Sequence, residues 1–130
     1  MLMPAAVLVV LVLGAIAVDL SAVHLAEREL LDLASSMAND AVTAGLPPEA
    51  IRGGSHRLDE GRVRDALVRT LDAQGHGDEV VVALDVGTGA PATLTVTLRR
   101  PVEHLFAKAI PGADDTTTVR ATATAIASVR

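Results

Sequence analysis

The chain has no cysteine, no tryptophan and no tyrosine among its 130 residues. Without cysteine there is no disulfide, no thiolate chemistry, no cysteine-ligated zinc and no lipid attachment through a thiol. Phe106 is the only aromatic residue, although half of the chain is apolar. Alanine, valine and leucine must therefore build the core. Small side chains bury little area each, so modest stability is expected. Lys108 is the only lysine, and 11 basic residues stand against 16 acidic ones for a net charge of −5. With no basic stripe and no interleaved aromatics, nucleic acid is excluded as a partner.

Charge is also missing from one end. Met1 to Val18 carries no charged side chain, and Ala5 to Val18 is apolar on every face. A helix apolar all round belongs in a core or a bilayer, and the remaining chain is too small to wrap it. Eighteen residues at 1.5 Å each span roughly 27 Å, close to a thin hydrocarbon layer. Residues 1–18 are thus expected to be a transmembrane anchor in contact with membrane lipid. The competing reading is a cleaved secretory signal, for which Ala15-Ile16-Ala17 supplies an A-x-A site. No arginine or lysine precedes the apolar run, as the positive-inside rule would want. The expectation from this is a natural start upstream, with Met1 or Met3 an internal methionine.

After Val18 the pattern turns amphipathic without a break. Leu20, Val23, Leu30, Leu31, Ala34, Met37, Ala38 and Ala41 recur at three- and four-residue steps, the helical period. Glu27 interrupts the stripe at one step. Gly45-Leu46-Pro47-Pro48 is a stop signal, so one helix from about Pro4 to Ala44 is predicted, with residues 19–45 projecting beyond the anchor. Asp19, at the membrane boundary, is expected either in the headgroups or paired with a cation on a partner helix. Asp19, Val23, Leu30, Ala34, Met37 and Ala41 are the candidate partner-helix contacts.

Residues 46–58 read as a linker with at most a short turn, and 59–130 as a small extracytoplasmic α+β domain. Asp59 or Glu60 can start a second helix with Val63, Ala66, Leu67 and Leu71 as its apolar face; Gln74-Gly75-His76-Gly77 ends it. Three strands are predicted: Asp78 to Val86, Ala92 to Arg99 stopped by Pro101, and Thr116 to Val129. Leu94, Val96 and Leu98 alternate with Thr93, Thr95 and Thr97, the mark of a half-buried strand. Val119, Ala121, Ala123, Ala125, Ala127 and Val129 form an inner face small enough to let a helix approach closely. Val102 to Ile110 suits a short helix or a packed loop.

No catalytic, cofactor or metal site is read from the residues. His24, His56, His76 and His104 form no metal-ligand spacing, and Gly87-Thr88-Gly89 lacks the lysine and following helix of a phosphate loop. Ser35-Ser36 has no nearby base, Asp114-Asp115 reads as a polar turn, and Arg99-Arg100 as a solvated pair. A hydrolase would need a pocket joining His56, His76 or His104 to a carboxylate.

Three stretches in order, Gly14-Ala-Ile-Ala-Val-Asp19 leading to Leu33-Ala-Ser-Ser-Met-Ala-Asn-Asp-Ala41, then Leu94-Thr-Val-Thr-Leu-Arg-Arg-Pro101, then Val119-Arg-Ala-Thr-Ala-Thr-Ala125, resemble the TadE/TadG-like family of the tight-adherence (Flp) pilus system. The resemblance implies a pilin-like arrangement and a pseudopilin or accessory envelope protein that helps assemble or anchor pili. Its partners would be other pilus or envelope proteins met through the N-terminal helix, with self-association open. Type IVb prepilins carry Gly before the apolar run and Glu five residues later. Here Gly14 lies inside the run and is followed by Asp19, so a permanent single-pass anchor is expected instead of peptidase processing. A secreted or tethered binding module, released by signal cleavage, is the alternative.

Overall fold

A computed structural model describes residues 2–53, 57–77, 80–89 and 91–127. The fold is α+β: one long helix, a second packed helix and a three-stranded antiparallel sheet. Helix α1 runs unbroken from Leu2 to Gly45, 44 residues and about 66 Å at 1.5 Å per residue. From Met3 to Val18 its side chains are uncovered, apart from partial cover at Ala15. Beyond that the helix acquires a buried stripe at Asp19, Ala26, Leu30, Leu33, Ala34, Met37, Ala38, Ala41 and Val42, with Val23 half-covered. The steps are three and four, one face of a 3.6-residue period. The step that Glu27 seemed to break is filled by Ala26, and Glu27 points outward.

Gly45 ends α1 because the chain must turn tightly there against helix α3 (Glu60–Ala73). A β-carbon at Gly45 would collide with the buried Val63 side chain. The Gly45 carbonyl also accepts the Asp59 N–H at 3.0 Å, which fixes the entry into α3. Asp59 is the N-cap, its Oδ1 accepting the N–H groups of Gly61 at 2.9 Å and Arg62 at 3.3 Å. Between them, helix α2 (Pro48–Gly53) gives the linker more regular structure than a single turn. On α3 the buried side chains are Val63, Ala66, Leu67 and Leu71, the face read from the sequence.

Strands β1 (Val81–Gly87), β2 (Thr93–Glu103) and β3 (Thr116–Ile126) form a meander with β2 in the centre. Val96 faces Leu84 on one side and Ala123 on the other. One face of β2, Leu94, Val96 and Leu98, is fully buried, with α1 packed against the strand. The opposite face is a threonine ladder: Thr95 pairs with Thr124 at 3.0 Å and Thr97 with Thr122 at 3.1 Å. Val119, Ala121, Ala125 and Ala127 are buried and Ala123 partly so, which gives α1 its close approach. Val129 and the start of the first predicted strand, Asp78, lie outside the described residues.

Two boundaries differ from expectation. Pro101 does not stop β2; the strand continues to Glu103, with Pro101 opposite Thr118. Among the described residues, pairing with β1 ends at Arg99, and a strand tolerates proline where its N–H has no ladder bond to make. The segment from Val102 to Ile110 accordingly divides into a strand end and a single 3₁₀ turn at Ala107–Ala109.

Candidate functional site

The β2–β3 connection, residues 104–115, is the only long loop between strands among the described residues, and it folds back on α1. Three successive backbone N–H groups at its start converge on the Asp19 carboxylate. Leu105 donates to Oδ1 at 2.9 Å, Phe106 to Oδ1 at 3.2 Å and Oδ2 at 3.3 Å, and Ala107 to Oδ2 at 3.1 Å. These are the orphan donors of a turn's first residues, satisfied by a side chain 86 to 88 positions away. Asp19 is only 9% exposed. Its position follows from α1: it begins the covered stripe, so the helix aims it at the sheet side, where the loop lies.

Below Asp19, towards the N-terminus, an apolar groove of about 390 Å³ opens between helix and loop. Leu8, Val12 and Ile16 line it from α1; Phe106, Ala109 and Ile110 line it from the loop. Leu105, Phe106 and Ile110 are nonetheless 66%, 48% and 56% exposed. Lys108 leaves this apolar surface and donates through Nζ to Glu103 Oε2 at 2.7 Å. That hydrogen bond, with the attraction between the two charges, holds the Glu103 carboxyl below its usual range and the Lys108 ammonium above its own. His104 is tied by Nε2 to Thr117 Oγ1 at 2.7 Å.

The other candidate contacts have different surroundings. Leu30, Ala34, Met37 and Ala41 are essentially fully buried in the chain's own core, and Val23 packs at its edge. The face expected to meet a partner helix is thus covered by the chain's own sheet and α3. Asp19, expected to meet headgroups or a foreign cation, instead meets its own backbone. The physical reason is common to both: a helical stripe requires cover, and the meander supplies it from within.

A cleft of about 590 Å³ lies between α1, the end of α3 and β2, with Glu29, Asp32, Ser36, His76 and Arg100 on its walls. It brings a histidine near carboxylates, yet Glu29 accepts from Arg100 Nη2 at 3.4 Å and the His76 Nδ1 is buried without a partner among the described residues. Arg100 lies on the core side of β2, its side chain 16% exposed, and is not the solvated residue expected. No nucleophile–base hydrogen bond joins Ser36 to His76 among the described residues. There, too, no group of three His, Asp or Glu side chains is placed to hold a metal. His56 lies outside the described residues. His24 is exposed, 3.8 Å from Glu27.

Compared with known proteins, the chain matches no family model, no curated protein and no solved structure. Its function must therefore be argued from its own geometry. One helix near the N-terminus is long and apolar enough to cross a membrane, a test that a signal sequence also passes.

Proposed function

We propose that the chain is a single-pass, membrane-anchored envelope protein with its α+β domain on the extracytoplasmic side. In this reading it is an accessory or pseudopilin-like component in the assembly or anchoring of Tad (Flp) pili or of a related secretion machine. The observation that carries the reading is the division of labour along α1. Residues 3–18 present apolar side chains to the surroundings, while the covered stripe beyond them belongs to the domain. In water, the first part would be a large exposed apolar surface of the kind that marks a membrane or protein contact. A rigid helix joining that surface to a small sheet can transmit position from bilayer to exterior without a hinge, as an assembly component requires.

Assembly contacts then belong on the outward face of α1, where Leu20 and Leu31 are 65% and 48% exposed. Photo-crosslinkers at these positions in intact cells are expected to trap complexes with other envelope proteins or a second copy. Crosslinkers at Leu30 and Met37 should react only within the chain. Membranes that yield monomer from every outward position would refute the assembly role. The released binding module keeps one specific support: the core cluster begins at Ala26, so removal of residues 1–17 would leave it intact. Intact-mass measurement on the exported protein separates the two, since loss of that segment supports release and its retention supports the anchor.

A further inference from the structure

We propose that the β2–β3 loop is a second membrane-contacting element, which inserts Leu105, Phe106 and Ile110 among the acyl chains of the outer leaflet beside α1. The inference rests on the reading of residues 3–18 as a bilayer span, and adds to it an element distant in sequence.

Three observations lead there. The first is position. The groove between loop and helix extends from Asp19 back to Leu8, about 16 Å along the axis. That is about one leaflet's share of a hydrocarbon core roughly 30 Å thick. A loop lying beside these turns shares their surroundings, so whatever bathes Leu8 and Val12 bathes Phe106 and Ile110.

The second is side-chain chemistry. In a chain with one aromatic residue, that residue stands on this loop and is 48% exposed. The loop's three largest apolar side chains are each about half exposed or more, and Phe106 and Ile110 line the groove beside the uncovered surface of α1. The single lysine, Lys108, turns away from them to reach Glu103, as a cationic side chain does when its stem lies in an apolar layer and its head in a polar one.

The third is the backbone. Irregular chain can enter hydrocarbon only if its polar groups are satisfied internally. The His104 N–H donates to the Asp115 carbonyl at 2.9 Å, Ala109 to Phe106 at 3.0 Å and Ile110 to Ala107 at 3.0 Å. Three further N–H groups, on Leu105, Phe106 and Ala107, are taken by Asp19. This gives the buried carboxylate a purpose: it caps the turn that would otherwise carry bare N–H groups into lipid. The same donors offset the cost of a charge at that depth.

The test uses the full chain in phosphatidylcholine vesicles, with and without phosphatidylglycerol. The protein has no tryptophan, so Phe106→Trp, Leu105→Trp and Ile16→Trp each introduce a sole reporter. Fluorescence is quenched either by lipids brominated on the acyl chains or by aqueous iodide. The expected result is bromolipid quenching at 106 and 105 comparable to that at 16, with little effect of iodide. Adding Asp19→Ala should reduce bromolipid quenching at 106 several-fold, while position 16, freed of the loop beside it, stays lipid-quenched. Iodide quenching at 105 and 106 while 16 remains lipid-quenched would overturn the inserted loop and leave the anchor standing. Shielding of 105 and 106 from both quenchers would mean that protein covers the loop, which also overturns it. Iodide quenching at 16 would remove the anchor and the loop together.

Discussion

Replacing Asp19 with asparagine keeps the side chain's shape and removes one of its two acceptors. In the native protein both carboxylate oxygens are used, Oδ1 by Leu105 and Phe106 and Oδ2 by Phe106 and Ala107. A hydrogen bond to a charged group contributes about 1.5–3 kcal/mol net, and a neutral one about 0.5–1.5 kcal/mol. Asparagine converts the Oδ1 bonds from charged to neutral. It also places an NH₂ group against the N–H of Ala107, donor facing donor. Loop closure should therefore weaken by about 2–3 kcal/mol, after allowance for the three donors sharing one carboxylate. Exchange of the protected amides would then rise roughly 30- to 140-fold, at about 1.4 kcal/mol per factor of ten.

Amide hydrogen exchange, read residue by residue by NMR in a bilayer nanodisc, measures this directly. Leu105, Phe106 and Ala107 should accelerate together. Val96 and Leu98, in the centre of the sheet and fully buried, should not change, because opening the loop need not open the core. Equal exchange of the three amides in the native and Asp19→Asn proteins would refute the capping role. Acceleration spread evenly through β2 would refute its local character.

Other perturbations follow from the packing. Gly45→Ala places a methyl group against the buried Val63 and should destabilise the α1–α3 junction by about 1–3 kcal/mol, seen as a lower urea midpoint. Met37→Ala and Leu98→Ala each open a cavity at a fully buried position and should cost about 2–5 kcal/mol in the same assay. Thr95→Val with Thr124→Val, on the exposed face of the sheet, should change stability by less than about 1 kcal/mol, since both hydrogen-bond partners are removed together. The Glu103 carboxyl, held below its usual range by Lys108, should titrate below an ordinary glutamate when its side-chain carbon shift is followed by NMR. A group so depressed contributes stability above its unfolded pKa and loses it as the pH falls through the folded one. The Glu103–Lys108 tie therefore holds at neutral pH and is released in acid, and an ordinary Glu103 titration would count against it.

Local signals made much of the fold legible. Leu94 to Leu98 alternates with threonine, and alternation has one structural meaning when one face is covered. The alanines of β3 foretold the close approach of α1, and Asp59 foretold the start of α3 because an N-cap is a one-residue signal. Pro101 misled because its effect depends on whether β1 is still paired alongside, which is a tertiary fact. Ala26 was invisible in a composition so rich in alanine. The candidate site was less legible still. Periodicity says that one face of α1 must be covered, and nothing in it says whether by the same chain or another. Asp19 carried a recognisable oddity, a carboxylate at the end of an apolar run. Its partners are backbone N–H groups, which leave no trace in side-chain sequence.

That last point constrains how this protein can work. A stripe covered from within leaves the part of α1 beyond Val18 with scattered outward apolar residues such as Leu20 and Leu31 and, among the described residues, no continuous uncovered stripe. Association of the kind that drives helix bundles must then come from residues 3–18, or from the outward positions beyond them. Within lipid there is no hydrophobic gain from helix pairing, and close approach depends on small residues. Residues 3–18, as the proposed span, offer Ala5, Ala6, Gly14, Ala15 and Ala17 for this, and a β-carbon at Gly14 would meet nothing in the single chain. Ala15 lies on the side of the β2–β3 loop, so a neighbour approaching there competes with the loop and with the Asp19 cap above it. A neighbour approaching the opposite side meets no such competition. The geometry therefore gives the proposed anchor two unlike sides, one beside its own domain's loop and one uncovered.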